Sequence, residues 1–404
     1  MQLSEAHLLA GDDMQRLIAR HAGDNAHAFA LARHKEMPLQ SRLIAEQIAC
    51  RQKAVRKLPA ISCGKFVYES RALEIASGEA TARFKASFMH GTRMMDMSGG
   101  MGIDTFYCAE SFDCVDYYEK IPVLCELLRI NSRFLKRSNI YVHEGDSVLA
   151  LRRCSSDEFD WLYVDPLRRS ATKRRIGLTG CEPDVIENAA FMLDRAKRIC
   201  IKCSPMLEPE AARRRVPHIA ACIVVSVDGE CKEQLLILDK HSAACGTLPM
   251  RAVMLAPDGT VRAAISNTES AGVERRIAAA IGTYWYEPDA ALIKARLVPQ
   301  LAAMHGLAFV NSTVDYLTGD TAANGFAGKI WRVIAVEAWN RRRLMKYFRE
   351  GALRAANISR RDFPLSPAEI RKKLSLREGG EDHLFFTRDS TGKRIMAHCR
   401  RIVW

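Results

Sequence analysis

Long apolar runs are missing from this 404-residue chain. Nothing in it approaches the ~18 consecutive apolar residues of a membrane-spanning helix, and no basic-then-apolar leader opens it. We therefore expect a cytoplasmic protein with no membrane partner. A disulfide framework is missing as well: the 13 cysteines are odd in number and scattered, which fits a reducing compartment. The one Cys-x-x-Cys, Cys200 to Cys203, falls in a strand-like run. Residues three apart in a strand point to opposite faces, so neither a zinc nor a redox site is expected there. There is no internal repeat and no low-complexity segment.

Positive charge, by contrast, is abundant and unevenly placed. The chain has 60 Lys and Arg against 47 Asp and Glu, a net +13, and residues 328–404 hold 19 basic and 8 acidic residues, so +11 of that excess lies in the last fifth. Such asymmetry points to an acidic partner, of which nucleic acid is the commonest, although a solvated face that keeps a protein soluble has the same composition. The length exceeds one ordinary core, so two to four domains are expected.

Residues 1 to about 60 carry apolar residues at helical spacing, as in Leu43, Ile44, Gln47, Ile48, Val55 and Leu58. The region should end at Leu58-Pro59, because a residue before proline avoids the helical basin. From about 91 to 240, short apolar runs alternate with helix-like stretches: 92–97, 114–119, 139–143, 159–165, 198–204, 219–227 and 233–239. Repetition of this kind predicts a Rossmann-like, doubly wound α/β sheet. Its last two runs are separated by only five residues, too few for a crossover helix, and should form an antiparallel edge hairpin. That is the arrangement of class I methyltransferases.

A further hairpin is expected around Pro257-Asp-Gly259, then a helix about 269–281, a strand from Tyr284 and a helix from Asp289 to His305. Beyond Gly328 the pattern predicts small α+β modules: strand 329–337, a helix from Asn340, strand 355–359, helix 367–374 and a hairpin of 383–388 with 393–399. Ser366-Pro-Ala-Glu369 supplies the cap, first-turn proline and box glutamate of that last helix.

The most informative stretch is Met94-Met-Asp96-Met-Ser98-Gly99-Gly100-Met-Gly102. It reads as a strand ending in an acid, followed by a turn whose glycines let bare backbone approach a ligand. A dinucleotide site would need Gly-x-Gly-x-x-Gly, and Gly100-Met-Gly102-Ile-Asp104-Thr105 fails at the third glycine. Acid-x-Gly-x-Gly-x-Gly, the template of S-adenosylmethionine (AdoMet) enzymes, fits with Ser98 replacing one glycine. Acids then recur at successive strand ends. Glu119, 17 residues past Gly102, is placed to accept hydrogen bonds from ribose hydroxyls, or is a solvated strand-end carboxylate. Asp146 is placed to meet the adenine amino group, or is a helix N-cap.

Asp165-Pro166-Leu-Arg168-Arg169 follows the fourth strand, where the reactive methyl is expected. Methyltransferases acting on base amino groups usually have an aromatic after the prolines of such a turn, to stack on a flipped base. This chain has none, and Arg168 and Arg169 would stack or grip a phosphate instead, or else pair on the surface with Glu182 or Asp184. Cys203-Ser204-Pro205 ends the fifth strand and admits another reading, a cysteine nucleophile for C5 of a pyrimidine activated by Lys202; a small core cysteine is the alternative.

Several motifs taken together resemble one family: Ile48-Ala-Cys-Arg51-Gln-Lys53 with Lys57-Leu-Pro59, Glu74-Ile-Ala-Ser77-Gly-Glu79-Ala-Thr81 running on to Lys85, the turn from Asp96 to Asp104, Asp165-Pro-Leu-Arg-Arg169, Cys181-Glu-Pro183, Lys202-Cys-Ser204-Pro-Met206, Glu230-Cys-Lys-Glu233, Tyr286-Glu-Pro288 and Phe363-Pro-Leu365. The chain is similar, over nearly its whole length from about residue 40, to class I AdoMet-dependent methyltransferases with a ferredoxin-like module and a C-terminal THUMP-like domain. The resemblance implies an RNA-directed methyltransferase, with the RNA held by the basic C-terminal region. Its domains would be a helical region 1–85, the methyltransferase domain 86–240, a hairpin-helix extension 241–283, a ferredoxin-like module 284–327 and a THUMP-like domain 328–404. Asp96, Ser98, Gly99, Gly100, Gly102, Asp104, Glu119, Asp146 and Asp165 would hold AdoMet. Asp165, Pro166, Arg168, Arg169 and Ser204 would form the catalytic rim, with no metal. The other functions compatible with the sequence are an RNA-binding protein whose AdoMet domain is idle and a C5-pyrimidine methyltransferase using Cys203.

Overall fold

Apolar residues at helical spacing build the N-terminal region as four helices: α1 (Leu3–Ala10), α2 (Asp12–Arg20), α3 (Ala26–Arg33) and α4 (Pro38–Lys57). Pro38 opens α4, where its missing N–H costs nothing, and Leu58 caps its end ahead of Pro59. Leu43, Ile44, Gln47, Ile48 and Leu58 are buried as their spacing predicts. Val55 is not. It is 60% exposed, and Ala54 with the stem of Arg51 takes the inward face instead, because a helix turning 100° per residue carries position 55 out of the stripe.

The computed structural model describes residues 1–33, 37–62, 64–168, 178–242, 246–268 and 272–402. The chain forms two compact units. The first comprises Met1–Val227, Lys232–Leu248 and Leu255–Arg262; the second comprises Asp228–Cys231, Pro249–Met254 and Ala263–Trp404.

In the first unit two short helices, α5 (Ser70–Ile75) and α6 (Glu79–Phe88), lead into alternating strands and helices. In chain order these are β1 (Gly91–Asp96), α7 (Ile103–Cys108), β2 (Phe112–Glu119), α8 (Pro122–Phe134), β3 (Ile140–Glu144), α9 (Ser147–Leu151) and β4 (Phe159–Val164). The small pair β5 (Leu167–Arg168) and β6 (Cys181–Glu182), α10 (Val185–Arg195), β7 (Ala196–Cys203), α11 (Pro209–Arg213), β8 (Ile219–Val227) and β9 (Glu230–Asp239) follow. The strands lie in the order β8-β9-β7-β4-β1-β2-β3. Pairs from β7 to β3 are parallel, and β9 is antiparallel to β7. This is the doubly wound α/β sheet with the β8–β9 hairpin that the sequence predicts; β8 is not, however, the last strand of the sheet. Parallel strands bring their carboxyl ends to one side. Asp96, Glu119, Asp146 and Asp165 accordingly close or follow β1, β2, β3 and β4.

The hairpin β10 (Met250–Leu255) and β11 (Val261–Ser266) straddles the division between the units along the sequence. Within the expected span 269–281, residues 269–271 lie outside the described ones, and 272–281 run without helix. The alanine-rich stretch is drawn out by pairing: Ala278 N–H donates to the Phe309 carbonyl at 2.9 Å, Phe309 N–H to the Arg276 carbonyl at 2.8 Å, and the Arg275 guanidinium lies 3.8 Å over the Phe309 ring. Tertiary partners here override local propensity.

The second unit adds β12 (Tyr284–Pro288), α12 (Ala290–Lys294), α13 (Val298–Met304), β13 (Ala308–Phe309), β14 (Leu317–Gly319), β15 (Gly328–Ala338), α14 (Arg341–Glu350), β16 (Asn357–Arg360), α15 (Pro367–Leu374), β17 (Asp382–Arg388) and β18 (Arg394–Arg401). The single helix expected over 289–305 is two, because Arg296 takes a left-handed conformation (φ 59°) just before Pro299 starts a new first turn. The sheet order is β13-β14-β12-β15-β18-β17-β16, so strands from 284–327 and from 328–401 share one sheet. Trp285, Tyr316, Trp331 and Phe385 pack one face of it, and Leu344, Phe348, Ile370 and Phe386 belong to a second core. Among the described residues no helix is long and apolar enough to cross a membrane.

Candidate active site

The turn after β1 is built by buried hydrogen bonds that its sequence makes obligatory. Asp96 is 1% exposed. Its Oδ1 accepts the Ser98 N–H at 3.0 Å, and its Oδ2 accepts the Thr105 hydroxyl at 2.5 Å. Burial pushes the Asp96 carboxyl up to about 7, against the hydrogen bonds that lower it. Thr105 stands where a dinucleotide site would carry its third glycine, and its hydroxyl serves this buried acid. Gly102 lies at φ 70°, the left-handed region. A methyl on Gly99 would fall 2.3 Å from the Tyr117 ring, and one on Gly102 would fall 2.1 Å from Leu128. Tyr117 in turn donates its hydroxyl to the Gly100 carbonyl at 2.7 Å. The glycines thus let the turn lie flat on the β2 tyrosine.

Glu119 holds the turn from the next strand. Its Oε2 accepts the Gly100 N–H at 3.0 Å, and its Oε1 accepts the N–H groups of Lys120 and Ile121 at 2.7 and 2.9 Å. Asp146 caps α9, accepting from Val148 and Leu149, and its other oxygen lies 2.6 Å from Lys120 Nζ. Partial burial raises the Asp146 carboxyl, but Lys120 and the two backbone donors outweigh it and hold the group below its ordinary range. The helix-cap role foreseen for Asp146 is therefore present, and the residue also lines a cleft of about 660 Å³ with Ser98, Tyr118, Glu119, Ser147 and Glu182. A cleft of about 470 Å³ contains Gly99, Gly100, Gly102, Asp104, Tyr163 and Asp165, and shares Ser98 and Glu119 with the first.

At the end of β4, the Asp165 N–H donates to Ser98 Oγ at 2.6 Å, fastening the glycine turn to the rim. Its Oδ2 accepts Lys202 Nζ at 2.7 Å. Lys202 is thus a partner of Asp165 and not an activator of Cys203. Burial disfavours the Lys202 ammonium, yet Asp165 and Asp104 together keep its pKa above the usual lysine value. Cys203 is 7% exposed, and burial pushes its thiol well above the usual range, so it is packed as a small core residue with no thiolate to offer. Ser204 Oγ accepts the Met206 N–H at 3.2 Å. A smaller cleft, about 280 Å³, is lined by Asp165, Pro166, Lys202, Cys203, Ser204 and Glu233 among others. Arg168 lies on β5; Arg169 falls outside the described residues. Glu182 forms an ion pair with Lys120, and Asp184 caps α10.

Behind the rim lies a set of charges that pattern reading did not assign. Lys85 on α6 is fully buried, with Nζ 2.6 Å from Glu233 Oε1, 3.2 Å from Asp104 Oδ1 and 3.3 Å from Ser77 Oγ. Asp104 Oδ2 accepts hydroxyls from Ser77 and Tyr163, each at 2.7 Å. Burial would raise the Asp104 carboxyl, but Lys85 and Lys202 hold it below its ordinary range. Asp104, expected to touch AdoMet, is tied mainly into this network. Lys85 and Glu233 both sit inside motifs quoted above, yet nothing in a run such as Phe84-Lys85-Ala86 says that the lysine points inward.

Three comparisons bear on this geometry. Residues 328–401 match the family described as THUMP domain-like. Two proteins of Mycobacterium tuberculosis, from strains CDC 1551 / Oshkosh and H37Rv, both named as uncharacterized S-adenosylmethionine-dependent methyltransferases, are 25% identical to this chain over 357 residues, 86% of this chain and 93% of theirs. A crystal structure of a candidate methyltransferase from Porphyromonas gingivalis W83 superposes with a TM-score of 0.85 at 25% identity, covering 100% of both chains.

Proposed function

We propose that this chain, which has the class I methyltransferase fold and a C-terminal THUMP-like domain, transfers the methyl group of AdoMet to a nucleotide of structured RNA. The observation that carries the reading is the junction of the Ser98–Gly102 turn with Glu119 through the Gly100 N–H, with Asp146 and Asp165 at the neighbouring strand ends. In this reading the turn holds the methionine part, Glu119 the ribose hydroxyls and Asp146 the adenine edge. Asp96 acts from behind the turn, holding Ser98 and Thr105. Asp165, Pro166, Arg168, Arg169 and Ser204 form the acceptor rim. The acids suit a ligand that carries a sulfonium and an ammonium.

AdoMet brings an already activated methyl, so the protein's part is to orient the acceptor and exclude water. RNA as the acceptor is supported by the THUMP-like match and by the charge of residues 328–404. We assign the protein to the cytoplasm, in keeping with its scattered cysteines.

Calorimetric titration with AdoMet, followed by methyl transfer to total RNA, tests the proposal. Asp165→Ala is expected to abolish transfer while AdoMet affinity stays within about threefold. Absence of AdoMet binding at millimolar concentration would overturn the enzyme reading and leave an RNA-binding protein with an idle domain.

A further inference from the structure

We infer that the methyl acceptor is a nitrogen of a nucleobase, seated in the cleft of about 280 Å³ beside β7 and presented by Asp165, which Lys202 holds in place. The inference rests on the RNA methyltransferase reading and narrows it to a class of atom.

Shape is the first support. Pro166, Leu167, Leu178, Pro205 and Leu207 give this cleft a carbon-rich lining, and its volume falls just below the about 300 Å³ at which pockets for drug-sized ligands begin. It suits one flat ring system, not a sugar with its several hydroxyls. Bases treated chemically by enzymes are taken out of the stack into pockets of this kind.

The placement of Asp165 is the second. It lines both this cleft and the one that holds the glycine turn. One carboxylate oxygen is fixed by Lys202; among the described residues Oδ1 meets no donor, and the side chain is 33% exposed. An open acceptor at the junction of a base-sized cleft and the cofactor-side cleft suits a hydrogen-bond donor on the substrate, which on a base is an N–H. Accepting that hydrogen bond would aim the nitrogen's electron pair at the methyl carbon.

Elimination is the third. Attack by C5 of a pyrimidine needs a nucleophile on the ring, and Cys203 is buried with its Sγ directed to the Ile201 carbonyl at 3.6 Å. A base nitrogen needs no such nucleophile. Its electron pair forms the bond to the methyl carbon as the carbon–sulfur bond breaks and that pair stays on sulfur. The proton now in excess on nitrogen passes to Asp165 and then to water.

The test uses the full chain, AdoMet labelled in the methyl group and total RNA from cells lacking this gene, digested to nucleosides and separated by mass. Label in an N-methylated adenosine, cytidine or guanosine is the expected result. Label in a 5-methylpyrimidine or a 2′-O-methyl nucleoside overturns the inference and leaves the RNA reading standing, whereas no label in RNA removes the reading on which it rests. Asp165→Asn provides a second check. With its oxygen taken by Lys202, the amide turns a donor toward the substrate, so turnover should fall about 10²-fold. Calorimetry without RNA separates that loss from any change in AdoMet affinity. Full turnover in Asp165→Asn, or an adduct of Cys203 with RNA containing 5-fluorouridine, would also overturn it.

Discussion

In the first unit Lys85 is fully buried between Asp104 and Glu233, and Lys202 reaches Asp165 from a side chain only 14% exposed. The second unit does the opposite: Trp285, Tyr316, Trp331 and Phe385 fill a core, while Lys329, Arg342, Lys372 and Lys373 are exposed. Buried charges are costly to desolvate and are retained where geometry must be fixed. Exposed ones are inexpensive, screened by salt and suited to a polyanion whose contacts are many and loose. The same residue type, lysine, is therefore locked into buried ion pairs in one unit and left exposed in the other.

Six substitutions would break or sharpen that contrast. Lys85→Met strands two buried carboxylates and should destabilise the full chain by roughly 3–5 kcal/mol in urea unfolding, if it folds at all. Lys372→Met on the exposed face of α15 should stay within about 0.5 kcal/mol. Equal effects would erase the distinction.

Asp96 sets a pH dependence. Its carboxyl is raised in the folded state from 3.8 to about 7, so the neutral form is the better folded one. Its contribution is whole below about pH 4 and is lost as pH climbs through 7, up to a few kcal/mol. Asp96→Asn, which keeps an acceptor for Ser98, should lack that decline; melting curves at pH 5 and 8 decide it.

Gly99→Ala sets a methyl against Tyr117 and should cost about 1–3 kcal/mol of stability, with AdoMet affinity down tenfold or more by calorimetry. Smallest of all, Arg342→Ala and Lys372→Ala should each reduce the slope of log affinity for RNA against log salt by about 1, leaving AdoMet binding unchanged.

Much of the first unit was legible in the sequence because its signals are local. Apolar runs separated by helix-like stretches place β1 to β4 and β7 to β9, though not the two-residue strands β5 and β6, and acids at strand ends mark the clefts. The glycine turn could be told from a dinucleotide site by Thr105 alone. What was not legible depends on distant partners. Spacing alone does not resolve one position of a helical stripe, so Val55 faces outward against its pattern. The alanines of 269–281 favour a helix, while Phe309, some thirty residues on, draws 272–281 into extended backbone. Lys202 stands beside Cys203 in the sequence, but its partner is Asp165, 37 residues away. Glu119 and Asp146 had two readings each, and the backbone donors that cap them, with Lys120, come from turns whose geometry no pattern prints.

The Lys85–Glu233 pair joins positions 148 apart along the chain. It bears on how the protein can be divided and made. A recombinant piece beginning at residue 86 would contain every sheet strand from β1 onward and still lack the buried ammonium that lies within 3.2 Å of both Asp104 and Glu233. Such a piece should be soluble only with those acids neutralised, for example with Asp104→Asn and Glu233→Gln. During synthesis the lysine emerges long before its glutamate, so the pair can form only once β9 has been made.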